Sequence, residues 1–119
     1  MGGIIEWVLE MRIRPGATGT YPALIAEMAE ATQANEPGAL VYEYFLTADG
    51  TGITVVERYV DSDAALVHLD TFGKRFAERF LAVFEPVRLT VYGPASEALR
   101  AALVPLGAAH LERVEGFSR

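Results

Sequence analysis

Three stretches at set spacings constrain this chain more than anything else in it: Glu36-Pro37-Gly38-Ala39-Leu40-Val41-Tyr42, Glu57-Arg58-Tyr59 and Ala64-Ala65-Leu66-Val67-His68. Pro37-Gly38 stops a helix, because proline cannot continue one and glycine accepts the turn that follows. The residues after it read as a strand, Glu57-Arg58-Tyr59 lies in a second strand, and the third stretch sits in a helix carrying a lone histidine. A helix stop, two strands and a helix in that order form the middle of an α+β domain.

The flanking sequence completes the pattern. From Ile4 to Ile13, Ile5, Trp7, Leu9, Met11 and Ile13 alternate with Glu6, Val8, Glu10 and Arg12, which predicts a strand. Pro15-Gly16 breaks it; Thr20 or Tyr21 can cap a helix, Pro22 suits its first turn, and it runs to about Gln33 with Leu24, Ile25, Met28 and Ala31 as its buried stripe. Leu40 to Thr47 and Ile53 to Val60 read as strands joined by the turn Ala48-Asp49-Gly50-Thr51-Gly52. Asp61-Ser62-Asp63 supplies caps for a helix from about Ala64. Gly73 is expected to bend or interrupt it, while Leu69, Phe72, Phe76, Phe80 and Val83 carry the apolar stripe on to about Phe84. Pro86 opens a fourth strand, Val87 to Tyr92, and Gly93-Pro94 closes it. A short helix, Ser96 to Leu103, and a short strand, His110 to Val114, complete the chain.

Strand, helix, strand, strand, helix, strand is the split βαβ order of a ferredoxin-like α+β fold, βαββαβ, with two helices on one face of a four-stranded antiparallel sheet. Residues 1–93 form this domain, and 94–119 are a C-terminal extension of it. Val8 among the polar positions of the first strand, and Val41 and Phe45 opposite Tyr42 and Tyr44, leave apolar groups on the second sheet face. A monomer would expose that face, so a homodimer packed sheet to sheet is expected.

Composition narrows the function. With 119 residues, 51% of them hydrophobic, the chain suits a single core. A net charge of −6 opposes the positive field that nucleic acid or an anionic membrane surface requires. No apolar run approaches the roughly 20 residues of a membrane span, and the start Met1-Gly2-Gly3 shows no charged region followed by an apolar core, so a cytoplasmic protein is expected. There are no cysteines, hence no disulfides, thiolate ligands or thiol nucleophiles. His68 and His110 are the only histidines and lack a short-spaced carboxylate partner, so no metal site is expected. Gly50-Thr51-Gly52 joins two strands and is a hairpin turn, without the following helix that a dinucleotide loop needs. Ser62, Ser96 and Ser118 do not stand at a strand-to-helix nucleophile turn.

One chemistry suits what remains. An electron-rich phenol or hydroquinone, once deprotonated, can pass an electron to dioxygen, so a protein need only bind it, remove a proton and exclude water. His68 titrates near neutrality and is the candidate base or hydrogen-bond partner. Trp7, Tyr44, Tyr59 and Phe72 are candidate walls for a flat substrate. Glu57 can orient His68 or pair with an arginine such as Arg58 or Arg88. Each residue also has a plain structural reading: His68 as a buried histidine bonded to a carbonyl or to Glu57, the tyrosines and the phenylalanine stripe as core.

With Pro15-Gly16 after the first strand, Glu36-Pro37-Gly38 through Tyr42, Glu57 two before an aromatic and His68 in the next helix, the stretch from Ile4 to Tyr92 resembles an antibiotic biosynthesis monooxygenase domain of the dimeric α/β-barrel group. The resemblance implies oxygenation of quinol-like or polycyclic phenolic substrates without metal or flavin, in a homodimer, with a small aromatic substrate and O2 as partners and no cofactor. A related branch binds and degrades haem. Here Tyr59 stands where the family usually has tryptophan, and Leu9 where the haem-degrading branch has asparagine, so haem binding through His68 ranks below a noncatalytic module that binds a hydrophobic small molecule. The extension past Gly93 is expected to lie across the partner subunit.

Overall fold

The computed structural model describes residues 3–119; the reading of the chain start at Met1 and Gly2 lies outside them. The elements are β1 (Ile5–Ile13), α1 (Tyr21–Asn35), β2 (Ala39–Leu46), β3 (Gly52–Tyr59), α2 (Ser62–Arg75), α3 (Ala77–Val83), β4 (Phe84–Tyr92), α4 (Glu97–Leu103), a 3₁₀ turn (Val104–Leu106) and β5 (Ala109–Leu111). The sheet order is β2-β3-β1-β4-β5. The first four strands pair antiparallel, as a ferredoxin-like α+β fold requires. A correction concerns the edge: β5 adds a fifth strand, parallel to β4, so the sheet is mixed.

Alternation sets the two faces. Ile5, Trp7 and Met11 of β1 and Ile53, Val55, Glu57 and Tyr59 of β3 are buried beneath the helices. The register places Tyr42, Glu57, Trp7 and Val91 in one row across four strands, and Tyr44, Val55, Leu9 and Leu89 in the next. The opposite face carries Val8 against Val56, with Arg58 bonded to Glu6 at 2.7 Å beside them. Phe45 on the same face is exposed.

Three boundaries differ from the sequence reading. The second helical segment breaks at Phe76 (φ −125°) rather than at Gly73, which stays helical on the exposed side where no packing opposes it. β4 starts at Phe84, ahead of Pro86, because the register shifts between Glu10 and Met11 of β1, and that irregularity accommodates a residue without an N–H. The terminal strand is Ala109–Leu111 instead of His110–Val114.

The first part of the extension, through α4, packs on the sheet of the same chain. Ser96 caps α4 by accepting from the Leu99 N–H at 3.1 Å, while its own N–H donates to Ser62 Oγ at 3.0 Å. Leu99 and Leu103 are fully buried with Trp7, Leu89 and Val91. Gly93 turns the chain out of β4 at φ 108°, and a Cβ there would stand 2.5 Å from the Ile4 carbonyl oxygen, so only glycine suits both the backbone and the space. A second buried cluster, around Met28, Val55, Phe80 and Phe84, lies under α1 and α3. Among the described residues no helix is long and apolar enough to cross a membrane.

Candidate functional site

Where the two clusters meet, a cavity of about 220 Å³ opens between the sheet and the helices. Trp7, Leu9, Tyr44, Val55 and Leu89 form its floor, Leu69, Phe72 and Phe80 its roof, and Leu103 and Leu106 close one side. Of the lining residues only Glu57, His68, Tyr42, Tyr44 and Trp7 carry polar side-chain groups, and nearly all of the exposed lining is apolar.

The chain stop named first in the sequence builds this polar end. Pro37 cannot join α1, so Glu36 becomes its C-cap, with its N–H on the Thr32 carbonyl at 2.9 Å. Its side chain turns inward and is buried. Asp61 caps α2 by accepting from the Ala64 N–H at 2.8 Å, which sets the helix phase so that Ala65 and His68 face inward. Strand alternation directs Glu57 and Tyr59 inward and Arg58 outward.

These elements assemble one hydrogen-bonded cluster. His68 Nδ1 lies 2.9 Å from Glu36 Oε1, and its Nε2 lies 3.4 Å from Glu57 Oε1. The Tyr59 hydroxyl donates to the same Glu57 oxygen at 2.5 Å. Tyr42 and Tyr44 share a hydroxyl–hydroxyl bond of 2.7 Å. The Tyr42 ring meets the His68 ring edge-on at 5.2 Å, and Phe72 stacks on His68 at 6.5 Å.

Burial and charge set the protonation states. Burial pushes the Glu57 carboxyl up, against the His68 charge and hydrogen bonds from Tyr59 and Trp7. For His68, burial disfavours the charge, yet the Glu36 hydrogen bond with the Glu57 and Glu36 charges outweighs it, so the imidazole is raised above its ordinary value. Burial also holds the Tyr42 and Tyr44 phenols protonated throughout the physiological range. A histidine between two carboxylates is favoured in its charged, doubly donating form, and of the two carboxylates Glu57 is the one among the cavity-lining residues.

Of the residues singled out from sequence, Trp7, Tyr44, Phe72, His68 and Glu57 line the cavity. Tyr59 does not: it is fully buried behind Glu57, its ring 5.0 Å from that of Trp7. Glu57 does not pair with Arg58 or Arg88, because those side chains leave the other sheet face toward Glu6 and Glu10. Glu36, Tyr42, Leu103 and Leu106 were not among the candidates. Tyr42 shares the strand parity of Tyr44 and was legible by that rule.

Among the described residues no group of three or more His, Cys, Asp or Glu side chains is placed to hold a metal ion. Haem does not fit, since both His68 nitrogens face carboxylates and neither is free for iron.

A profile of the family described as antibiotic biosynthesis monooxygenase matches residues 4–85. MupZ from Pseudomonas fluorescens is similar in structure over 98% of this chain and 95% of its own, with a TM-score of 0.86 and 26% identity. Rv0793 from Mycobacterium tuberculosis aligns over 81% of this chain and 99% of its own, with a TM-score of 0.62 and 27% identity. SO0527 from Shewanella oneidensis, at 24% identity and a TM-score of 0.67 over 79% and 93%, shares the fold. No curated protein matches the chain. The βαββαβ core, carrying the Glu36, Glu57 and His68 stretches within the matched residues, belongs to the antibiotic biosynthesis monooxygenase family.

Proposed function

We propose that the chain is a cofactor-independent monooxygenase acting on a small hydroxylated aromatic of one to three fused rings. The observation that carries this is the buried Glu57 carboxylate at the polar end of an otherwise apolar, ring-lined cavity. A site of about 220 Å³ lies below the roughly 300–1,000 Å³ usual for ligand pockets, so it suits only a flat, compact substrate. Glu57 rather than His68 accepts the proton, and His68, held as a cation by Glu36, stabilises the ionised carboxylate.

For a substrate with an activated ring methylene, the C–H bond breaks and the proton passes to Glu57. The carbanion gives one electron to O2, the radical pair combines into a C–O bond, and loss of water leaves a carbonyl. In sum, one methylene and one O2 give one carbonyl and one water: an oxygen atom replaces the two methylene hydrogens, which leave with the other oxygen atom. The reaction balances with no further reductant. The apolar walls exclude water while the radicals recombine. The assembly proposed is a homodimer joined through the Val8 and Val56 face.

Oxygen consumption with a panel of hydroquinones and anthrones tests this reading. Saturable uptake above spontaneous autoxidation, lost in Glu57→Gln, is the expected result; uptake at the background rate across the panel would overturn it. A second reading, a noncatalytic binding module, draws support from the mutual satisfaction of Glu36, His68, Glu57 and Tyr59. It predicts saturable binding with no turnover.

A further inference from the structure

We propose that the substrate of this cavity carries an aliphatic chain on its ring, opposite the hydroxyl, and that the chain leaves through an apolar mouth at Leu81, Pro86 and Leu106. The inference rests on the reading that the cavity binds a hydroxylated ring, and deepens it by naming the substituent.

Exposure locates the mouth. Of the lining residues only Leu81 and Leu106 are exposed, at 49% and 47%, while the others are buried or half-buried. Both come from segments that flank β4: α3, which carries Leu81, runs directly into β4, and the 3₁₀ turn with Leu106 leads into β5, the strand paired with β4. The cavity therefore opens on its β4 side, where Pro86 and Leu89 also line it.

The groups that can fix a hydroxyl lie at the other end. Glu57 is on β3, with Tyr42 of β2 as its cross-strand partner, and β1 stands between β3 and β4 in the sheet. Two strand spacings, about 10 Å, thus separate the carboxylate from the strand at the mouth. A ring whose hydroxyl donates to Glu57 turns its opposite edge toward β4.

The side chains at the exit decide what can be attached to that edge. Leu81, Pro86, Leu89 and Leu106 offer no hydrogen-bonding side chain, and no charged residue lines the cavity apart from Glu57 and His68. A polar or charged substituent would lose its hydration there without finding a partner, whereas each methylene gains by leaving water. At about 220 Å³ the cavity holds a compact ring and little more, so a chain on that ring has to emerge. Exposed Val104, in the same turn as Leu106, and exposed Val87, next to Pro86 in the chain, extend the apolar character beyond the lining.

Isothermal titration calorimetry with para-alkylphenols from methyl to hexyl, alongside the ortho isomers, tests this. The expected result is saturable binding that tightens about 2–4-fold per methylene in the para series, levelling off once the chain clears the mouth. The ortho series, whose chains turn toward the cavity wall, should show no such gain. Leu81→Asn and Leu106→Asn keep the side-chain size and remove apolar contact, so each should flatten the para series while leaving the affinity for para-cresol unchanged. Should either variant fail to fold, the contrast between para and ortho series in wild type decides alone. A para series without gain, or equal gain in both series, overturns the proposal and leaves the ring-binding reading standing. Absence of saturable binding by every phenol overturns both. A rising para series in a protein whose oxygen uptake stays at background would sink the oxygenase reading and support this one.

Discussion

Glu36 Oε1 stands 2.9 Å from His68 Nδ1, across a sequence separation of 32 residues, with both side chains nearly excluded from water. The contact joins the end of α1 to the second turn of α2 over the β2–β3 hairpin. Because Glu57 faces the other ring nitrogen, carboxylates favour the charged imidazole from both sides. Glu36→Gln keeps the shape and removes one charge, so the His68 titration is expected to move down toward its ordinary range. NMR of the ring nitrogens against pH measures it; an unchanged midpoint would mean that Glu36 does not set the charge on His68.

Stability should fall as pH rises through the neutral range. His68 is raised in the folded state, so its contribution is complete below its ordinary value of 6.5 and is lost as pH passes its raised folded value. Glu57 is also raised, above 4.5, so its ionisation on the way up weakens the folded state in the same direction. Glu27 and Asp49, both lowered, act oppositely and only in acid, where stability drops as they protonate. Thermal melts of wild type should therefore decline above neutrality, and the slope should flatten in His68→Gln. Parallel slopes in the two proteins would count against the linkage.

What was legible in the sequence was whatever depends on period or on local stop signals. Ile5, Trp7 and Met11 could be assigned to one face by alternation alone, and Pro22 and Asp61 located helix starts. The start of β4 was hidden because Val83 and Phe84 fit the end of a helical stripe as well as a buried strand, and the irregularity that admits Pro86 depends on its pairing with β1. The break at Phe76 leaves no compositional mark; Gly73 draws attention, but its exposed place in α2 is harmless. At the site, strand parity brought Glu57, Tyr44 and Trp7 together. Glu36 could be read only as part of a helix stop, since nothing local tells which way a C-cap side chain turns. Tyr59 shares the face of Glu57 but lies fully buried outside the cavity lining, because parity gives the face and not the depth.

Gly38 ties the start of β2 to α2. A Cβ at this position would come 2.7 Å from Ala64 Cβ and 3.3 Å from Val60 Cγ2. Gly38→Ala should destabilise the fold by about 1–3 kcal/mol through overpacking. Because the obstacle is chiefly the Ala64 methyl, Ala64→Gly in the same chain should recover part of the loss. Chemical denaturation of both single variants and the double variant checks this, and strictly additive effects would show that the two positions do not meet.

Leu103 and Leu106 separate core packing from access to the cavity. Leu103 is fully buried, and Leu103→Ala should cost about 2–5 kcal/mol while enlarging the cavity. Leu106 is half exposed at the cavity wall, so Leu106→Ala should change stability by no more than about 0.5 kcal/mol. Quenching of Trp7 by ring compounds of increasing size should show Leu106→Ala binding the larger members more tightly than wild type does. If every affinity stayed the same, the extension would have no part in selecting ligands.

The sheet face away from the cavity carries the last prediction. Val8 and Val56 are paired in register at its centre, and exposed Phe45 lies on β2 nearby. The ion pairs Glu6–Arg58 at 2.7 Å and Glu10–Arg88 at 3.8 Å flank the valines on either side. An apolar centre bordered by charges that are already paired within the subunit suits a second copy of the same surface, which would cover the valines without stranding a charge. Val56→Glu introduces an unpaired carboxylate at that centre and leaves the core on the opposite face untouched. Sedimentation velocity is expected to show a dimer for wild type and a monomer for Val56→Glu, with unchanged far-ultraviolet circular dichroism. A monomeric wild type at micromolar concentration, or a variant that remains dimeric, would exclude this face as the interface.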